Sequence, residues 1–338
     1  MAGMVREVDL LLVGAGPVGL YGAYYAGVRG LRTAVIDSLP EPGGQITAMY
    51  PEKPIYDVAG FPSVRGRDLV DGLVQQAARY DPTYLLGDSA TTVAREPDGR
   101  LLVGTTSGAA LRCGAVVITG GIGTFTPRPL PAGEEFLGRG LAYFVPRPAD
   151  YAGADVVVVG GGDSACDWTL ALLPIARSVT LVHRRKAFRG HAATVDAVLA
   201  SAATVITDAE VTQLLGADSV DAVQVRVKGE AEPRTLPAQR VVAALGFLAD
   251  LGPLREWGLE LHDNRHVVVD SAMRSTVDGI YAAGDITDYD GKVRLISVGF
   301  GEVATAVNNA AVALDPEAHL FPGHSSDSAP APVPVPAA

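Results

Sequence analysis

Two cysteines in 338 residues, Cys113 and Cys166, are too few and too far apart for a disulfide framework, a C-x-x-C redox pair or a zinc quartet. The missing disulfides lean the chain towards the cytoplasm. Positive charge is also short, with 27 Lys and Arg against 38 Asp and Glu and a formal net charge of −11. Nucleic acid and anionic membrane both require a sustained basic face, so neither is expected as a main partner. That balance still leaves room for a local basic pocket. The opening Met1-Ala2-Gly3-Met4-Val5-Arg6-Glu7 lacks a signal-peptide layout. Leu10 to Val28 is long and uncharged enough for a membrane span. Its glycines, Pro17 and tyrosines point instead to a buried strand, a tight turn and a helix. The remaining balance, 48% apolar and 19% charged, suits packed cores, and the length suits two domains.

The N-terminal pattern reads as strand, glycine turn, helix, strand. Val8 to Val13 is an apolar run of the kind found in a buried parallel strand. Gly14-Ala15-Gly16-Pro17-Val18-Gly19 follows, then a small-residue helix over Leu20 to Gly30 and a strand over Leu31 to Ile36. Residues 40–68 form a long irregular excursion, and helical pattern resumes over Leu69 to Ala78. The layout returns 146 residues later: strand Asp155 to Val159, turn Gly160-Gly161-Gly162-Asp163-Ser164-Ala165, helix Cys166 to Leu173, strand Val179 to Val182. Interdomain crossings are expected at Thr119 to Pro131 and near Gly246-Phe247. A last helix is expected over Glu302 to Leu314, and a low-complexity Ser/Ala/Pro tail from Ser325. The predicted fold is α/β, with two Rossmann-like dinucleotide-binding domains, each a three-layer unit with a parallel central sheet, one inserted in the other. Residues 1–123 plus 248–338 form the first domain, and 124–247 the second.

The residue types explain why each turn should hold a pyrophosphate. Gly14 permits the tight turn, Gly16 lets the backbone approach the anion, and Gly19 allows close helix–strand packing, with Pro17 at the helix start. Gly160, Gly162 and Ala165 fill these roles in the second copy, followed by Asp163 and Ser164 at the helix N-terminus. The ends of the next strands differ in sign. Asp37, 23 residues after Gly14, can accept hydrogen bonds from an adenosine ribose. His183, 23 residues after Gly160, opens His183-Arg184-Arg185, whose guanidinium forks suit a 2′-phosphate. The first site is therefore expected to take FAD and the second NADPH. The plainer alternative makes Asp37 a strand-end cap and Arg184 and Arg185 a solvated surface.

Further motifs make the chain resemble the two-dinucleotide-domain flavin reductases, and among them the thioredoxin-reductase-like ferredoxin–NADP reductases. They are Gly43-Gly44-Gln45, Tyr50-Pro51-Glu52-Lys53, Ile55-Tyr56-Asp57, Ala59-Gly60-Phe61-Pro62, Phe188-Arg189, Tyr281-Ala282-Ala283-Gly284-Asp285, Gly299-Phe300-Gly301-Glu302, Ala306-Val307-Asn308-Asn309 and Gly323-His324-Ser325-Ser326. The resemblance implies that Gln45 and Tyr50 touch the flavin, the Tyr50 ring stacking on one face. It implies further FAD contacts from Ala90, Phe125 and Ser326, an Asp285 bond to the ribityl chain, and Arg189 on the NADP side. Glu302 would open a helix aimed at the flavin, and His324 would cover the other flavin face from the second subunit of a homodimer. The resemblance departs from the family at Ala90, where a bulkier aliphatic is usual, and at Gly190-His191.

The implied activity is hydride transfer from NADPH to FAD, then single electrons to ferredoxin or flavodoxin, reversibly. Cys166 has Thr169 three residues on, so no dithiol forms there, and the thiol reads as a small apolar residue on the helix's buried face. No metal is implied. The alternatives are an NADPH-dependent reductase of a small molecule or protein disulfide, and a low-turnover flavin sensor. Ferredoxins are acidic, as is this chain, so docking needs a basic patch, for which Lys53, Arg65, Arg67 and Lys292 are the candidates.

Overall fold

The computed structural model describes residues 5–145 and 147–324, with the side chains of all but residues 124–126 and 247–249. Two compact units emerge, Met1–Thr124 with Ala249–Ala338, and Phe125–Leu248. Among the described residues no helix is long and apolar enough to cross a membrane.

The first unit is organised by a five-stranded parallel sheet in the order Ile280–Ala282, Ala115–Ile118, Leu10–Val13, Thr33–Asp37, Thr83–Leu86. Leu10, Leu11 and Leu12 and the whole of Ala115–Ile118 are buried, which explains their unbroken apolar sequence. A parallel strand covered on both faces has no polar side to alternate with. The second unit repeats the order with Leu141–Ala142, Arg240–Ala243, Asp155–Val159, Ser178–Val182, Thr204–Ile206, again all parallel. In each sheet the strand that feeds the glycine turn is central, and the strand order reverses there. The carboxyl end of that strand is where open α/β sheets receive ligands. Each unit also carries antiparallel strands, Ala90–Arg95, Leu101–Thr105 and Ala110–Cys113 in the first, and Ala209–Leu215, Ala222–Val227 and Arg234–Pro237 in the second.

Helix boundaries differ from the sequence expectation in an instructive direction. The first helix is Pro17–Val28, with Pro17 in its first turn, where a missing amide hydrogen costs nothing. The second glycine-turn helix is Asp163–Leu172. The last runs over Ile296–Leu314, six residues earlier than expected, so Glu302 does not open it. Gly299 and Gly301 read as turn residues in sequence. In the fold a Cβ on Gly299 would lie 2.5 Å from Val18 Cγ2, and one on Gly22 would lie 2.6 Å from Val303 Cγ2. The glycines let the first and last helices cross closely, and that packing overrides their weak helix propensity. Inside 40–68 a short helix, Gln45–Met49, and a two-stranded pair, Pro54–Ile55 with Val64–Arg65, interrupt the irregular chain, and the following helix starts at Gly66.

Two predictions follow from this packing. A Cβ at Gly19 would sit 1.9 Å from the Gly14 carbonyl oxygen, so Gly19→Ala must push the helix off the turn. We expect a loss of about 3 kcal/mol in urea unfolding, and no change in midpoint would contradict the close approach. In the second unit Arg177 and Ser178 hold the Asp155 carboxyl down to about 2, against an ordinary 3.8. A depressed carboxyl stabilises the fold above its ordinary value and loses that contribution as pH falls through the depressed one. Asp155→Asn is therefore expected to flatten the decline of thermal midpoint between pH 4 and about 2.

Candidate functional site

The first glycine turn is crowded around an opening. Gly14 adopts φ +118, and a Cβ there would lie 2.5 Å from the Thr119 carbonyl oxygen. Its amide donates to Ile36 O at 2.8 Å, tying the turn to the next strand. Gly16, the residue that caps the helix, has nothing within 4 Å of its missing Cβ. No side chain caps this helix and no acid stands in its first turn. Such a helix start presents amides and the positive end of the helix dipole to an approaching anion. Gly43 donates to Ala15 O at 2.8 Å, and a Cβ on Gly44 would lie 3.0 Å from Gly16 Cα. The Gly43-Gly44-Gln45 motif is thus built onto the turn, with Gln45 beside Gly121, whose missing Cβ faces Gln45 Nε2 at 3.2 Å.

Asp37 sits at the edge of this opening. Its Oδ2 accepts the Ala15 amide at 2.6 Å and its Oδ1 the Leu39 amide at 2.9 Å. Burial pushes the carboxyl up, while the two amides pull it back. Each oxygen keeps a second lone pair, so capping the turn and accepting a ribose hydroxyl are compatible. Tyr50 ends the short helix Gln45–Met49 and is half-buried. Burial raises its phenol, and the carboxylates of Asp285 and Asp57 add to that rise, which places Asp285 in its electrostatic neighbourhood. Asp285 follows the strand Ile280–Ala282 through Gly284, whose missing Cβ would meet Val18 at 3.2 Å. Burial raises the Asp285 carboxyl too, opposed by Lys292 and Arg294.

Several expected residues stand elsewhere. Lys292 is no part of a surface patch: its side chain is 3% exposed and paired with Glu302, itself 5% exposed. An acid inside the last helix drew it inward, which a lysine's surface preference does not reveal. Arg65 and Arg67 are exposed, but Arg65 pairs with Asp68 at 2.8 Å and Arg67 with Glu52. Ala90 is buried at the start of its strand, opposite Thr105. His324 is exposed, its ring edge-on to Phe321 at 5.1 Å. Phe125 lies in the strand Thr124–Pro127, its side chain outside the described residues, as is the whole of Ser326.

The second turn copies the first. Gly160 adopts φ +156, with its missing Cβ 2.4 Å from Ala244 O and 2.9 Å from Ala165 Cβ, and its amide donates to Val182 O at 3.0 Å. Gly162 again caps its helix with open space over it. Asp163 and Ser164 are exposed at the helix start. His183 is buried, stacked on Phe188 with ring centroids 4.9 Å apart, its Nε2 3.1 Å from Ala187 O. A Cβ on Gly161 would lie 2.1 Å from the ring, so His183 supports the turn by packing against it. Arg189 and Gly190 donate their amides to Gly161 O, at 2.7 and 3.3 Å, and the His191 amide donates to Asp163 Oδ1 at 2.7 Å. The basic loop is therefore fastened to the turn through its main chain. Arg184, Arg185, Lys186 and Arg189 are all exposed, and among the described residues no carboxylate pairs with them. Lys186 was not singled out from sequence, although it continues the basic run. Cys166 is fully buried and burial raises its thiol, as its reading as a small apolar residue requires.

Because Gly16 has open space and an ordinary φ of −69, Gly16→Ala should fold normally. We expect an apoprotein unfolding free energy within about 0.5 kcal/mol of wild type. FAD titration of the same variant should show affinity at least tenfold weaker, and undiminished affinity would remove the cradle role.

The chain matches the family described as pyridine nucleotide-disulphide oxidoreductase over residues 8–310. It is 63% identical to a ferredoxin–NADP reductase of Nocardioides sp. over 324 residues, 95% of this chain and 97% of that protein. A ferredoxin–NADP reductase of Thermus thermophilus is 46% identical, over 96% of this chain and 98% of that protein. Among solved structures, the thioredoxin reductase of T. acidophilum superposes with a TM-score of 0.77 at 25% identity, over 90% of this chain and 98% of that one. With a matched glycine turn in each unit and relatives aligned over nearly its whole length, the chain belongs to the pyridine nucleotide-disulphide oxidoreductase family, in the company of its ferredoxin–NADP reductases.

Proposed function

We propose that the protein is an FAD-dependent reductase that takes hydride from NADPH and passes electrons one at a time to ferredoxin, or to a flavodoxin, reversibly. The observation that carries this reading is the pairing of two alike glycine turns with unlike neighbours. A carboxylate, Asp37, stands at the first, and an exposed cluster of Arg184, Arg185, Lys186 and Arg189, with no carboxylate partner among the described residues, at the second. When bound, the flavin supplies hydride acceptance and single-electron release.

The residues present fit both cofactors. The gap over Gly16 admits a pyrophosphate to the helix amides, and Asp37 meets the adenosine ribose. Gln45 and Tyr50 would border the flavin, with Tyr50 as the stacking ring, and Asp285 would accept a ribityl hydroxyl. Ala90, Phe125 and Ser326 remain proposed FAD contacts on resemblance alone. At the second turn Gly160 and Gly162 open the cradle, and Asp163 and Ser164 flank it. His183 holds the turn's shape while Arg184, Arg185 and Arg189 reach the 2′-phosphate through charge-assisted bonds. Thr169, where a second cysteine of a C-x-x-C would stand, is buried and donates its hydroxyl to Ala165 O at 2.7 Å. Electrons therefore leave the flavin without a dithiol relay from that helix. The homodimer and the cytoplasmic setting belong to the same proposal. Leu320 and Phe321, 54% and 62% exposed, support a segment that seats with His324 on a second subunit.

Anaerobic NADPH is expected to bleach the yellow protein, and oxidised ferredoxin to restore the colour faster than low-molecular-weight disulfides. Colour that survives excess NADPH would favour a sensor, and faster reoxidation by disulfides would favour the other reductase class. Replacing both arginines, Arg184→Ala with Arg185→Ala, should raise KM for NADPH by roughly 30-fold, from two lost charge-assisted bonds, and leave NADH within about twofold. Equal losses for both nucleotides would refute the 2′-phosphate assignment.

A further inference from the structure

A buried charge cluster lies directly behind Asp285. Glu302, in the second turn of the helix Ile296–Leu314, turns its carboxylate towards the loop 284–292. Its Oε2 accepts the Gly284 amide at 2.7 Å. Its Oε1 accepts the Tyr289 hydroxyl at 2.5 Å and pairs with the Lys292 ammonium. Burial, with Glu302 beside it, pushes the Tyr289 phenol up to about 12, so this hydroxyl remains a donor. All the groups that Glu302 holds come from one loop, and the first of them is the amide of Gly284, the residue immediately before Asp285. Thr287 closes the same loop on itself, donating its hydroxyl to Gly284 O at 2.8 Å.

Buried ion pairs are not retained for stability alone. Withdrawing two charges from water offsets most of their attraction, and apolar residues of similar size often serve the fold equally well. The Gly284 residue cannot secure itself by side-chain packing: it has φ +85 and stands against Val18 with no side chain of its own. An acceptor for its amide fixes the plane of the Ala283–Gly284 peptide, while Thr287 holds the Gly284 carbonyl, so the glycine that precedes Asp285 is secured on both sides.

We propose that Glu302 is a positioning residue for the flavin site, clamping the Gly284 amide so that the next residue, Asp285, is held in its cofactor-receiving orientation, with Lys292 and Tyr289 holding the clamp. This inference rests on the FAD reading of the first glycine turn. It adds to that reading a residue whose role is to act through another.

Two paired replacements separate clamping from packing. Glu302→Gln with Lys292→Met removes both charges but keeps an oxygen for the Gly284 amide. Glu302→Leu with Lys292→Met removes both charges and the acceptor. FAD affinity of protein stripped of flavin, its thermal midpoint, and hydrogen exchange of the Gly284 amide are measured for each. We expect the Gln/Met protein to bind FAD within about threefold of wild type. We expect the Leu/Met protein, at a comparable midpoint, to bind at least tenfold more weakly and to exchange the Gly284 amide faster. Equal FAD affinity in the two at matched midpoints overturns the proposal, as does affinity that merely tracks the midpoint. If the Leu/Met protein does not fold, Tyr289→Phe decides. Affinity weakened severalfold at an unchanged midpoint supports the clamp, and unchanged affinity overturns it. Failure of the wild-type protein to bind FAD is a distinct result, and strikes the proposed function instead.

Discussion

An anion can be held by main-chain amides only where no side chain stands in the way, and both units of this protein are shaped around that requirement. The space over Gly16 and over Gly162 is open because the neighbouring positions are packed as tightly as backbone allows. Gly14 touches Thr119, Gly19 touches Gly14, and Gly160 touches both Ala244 and Ala165. Each turn is pinned by one amide to the end of the adjacent strand, Gly14 to Ile36 and Gly160 to Val182. The opening therefore exists as the unfilled part of a crowded region, and the parallel sheets that produce the crowding are themselves among the most buried parts of the chain.

Charge then distinguishes two cradles of the same shape. Ten of the 23 arginines pair with carboxylates among the described residues, including Arg32 with Asp9, Arg112 with Glu7, Glu96 and Asp98, and Arg177 with Asp155. Exposed pairs of this kind contribute little to stability. Among the described residues no carboxylate pairs with Arg184, Arg185 or Lys186. Exposed cations of this kind keep a local positive field that an anionic group can use, against the single acid, Asp163, in the first turn of the adjoining helix. On the other side of the molecule's chemistry, Lys292 is withdrawn from solvent to serve Glu302, which shows how little a lysine's presence in sequence says about surface charge.

The parts of the fold that depend on local sequence were legible. The strand Asp155–Val159 and both glycine turns follow from apolar runs ending at glycines, and the strand-end Asp37 and His183 follow from their equal spacing. What escaped depends on distant packing. Gly299 and Gly301 look like helix breakers until Val18 is seen beside the first, so the last helix was started six residues late. His183 reads as a ligand beside two arginines, whereas its ring packs on Gly161 and Phe188. The Glu302–Lys292 pair spans ten residues across a loop and a helix, and no periodicity records it.

The anchoring of the second unit's basic loop has a consequence for how such a protein can change. Among the described residues, the hydrogen bonds between that loop and the turn use main-chain amides of the loop, those of Arg189, Gly190 and His191. The side chains at 184, 185 and 189 project from a frame that does not depend on what they are. On the proposed reading of these arginines, preference between the phosphorylated and unphosphorylated nicotinamide coenzymes rests on a few replaceable surface groups over a main-chain mount. On that same reading, exchanging those side chains alters the coenzyme preference while the hydrogen-bonded loop beneath them stays as it is.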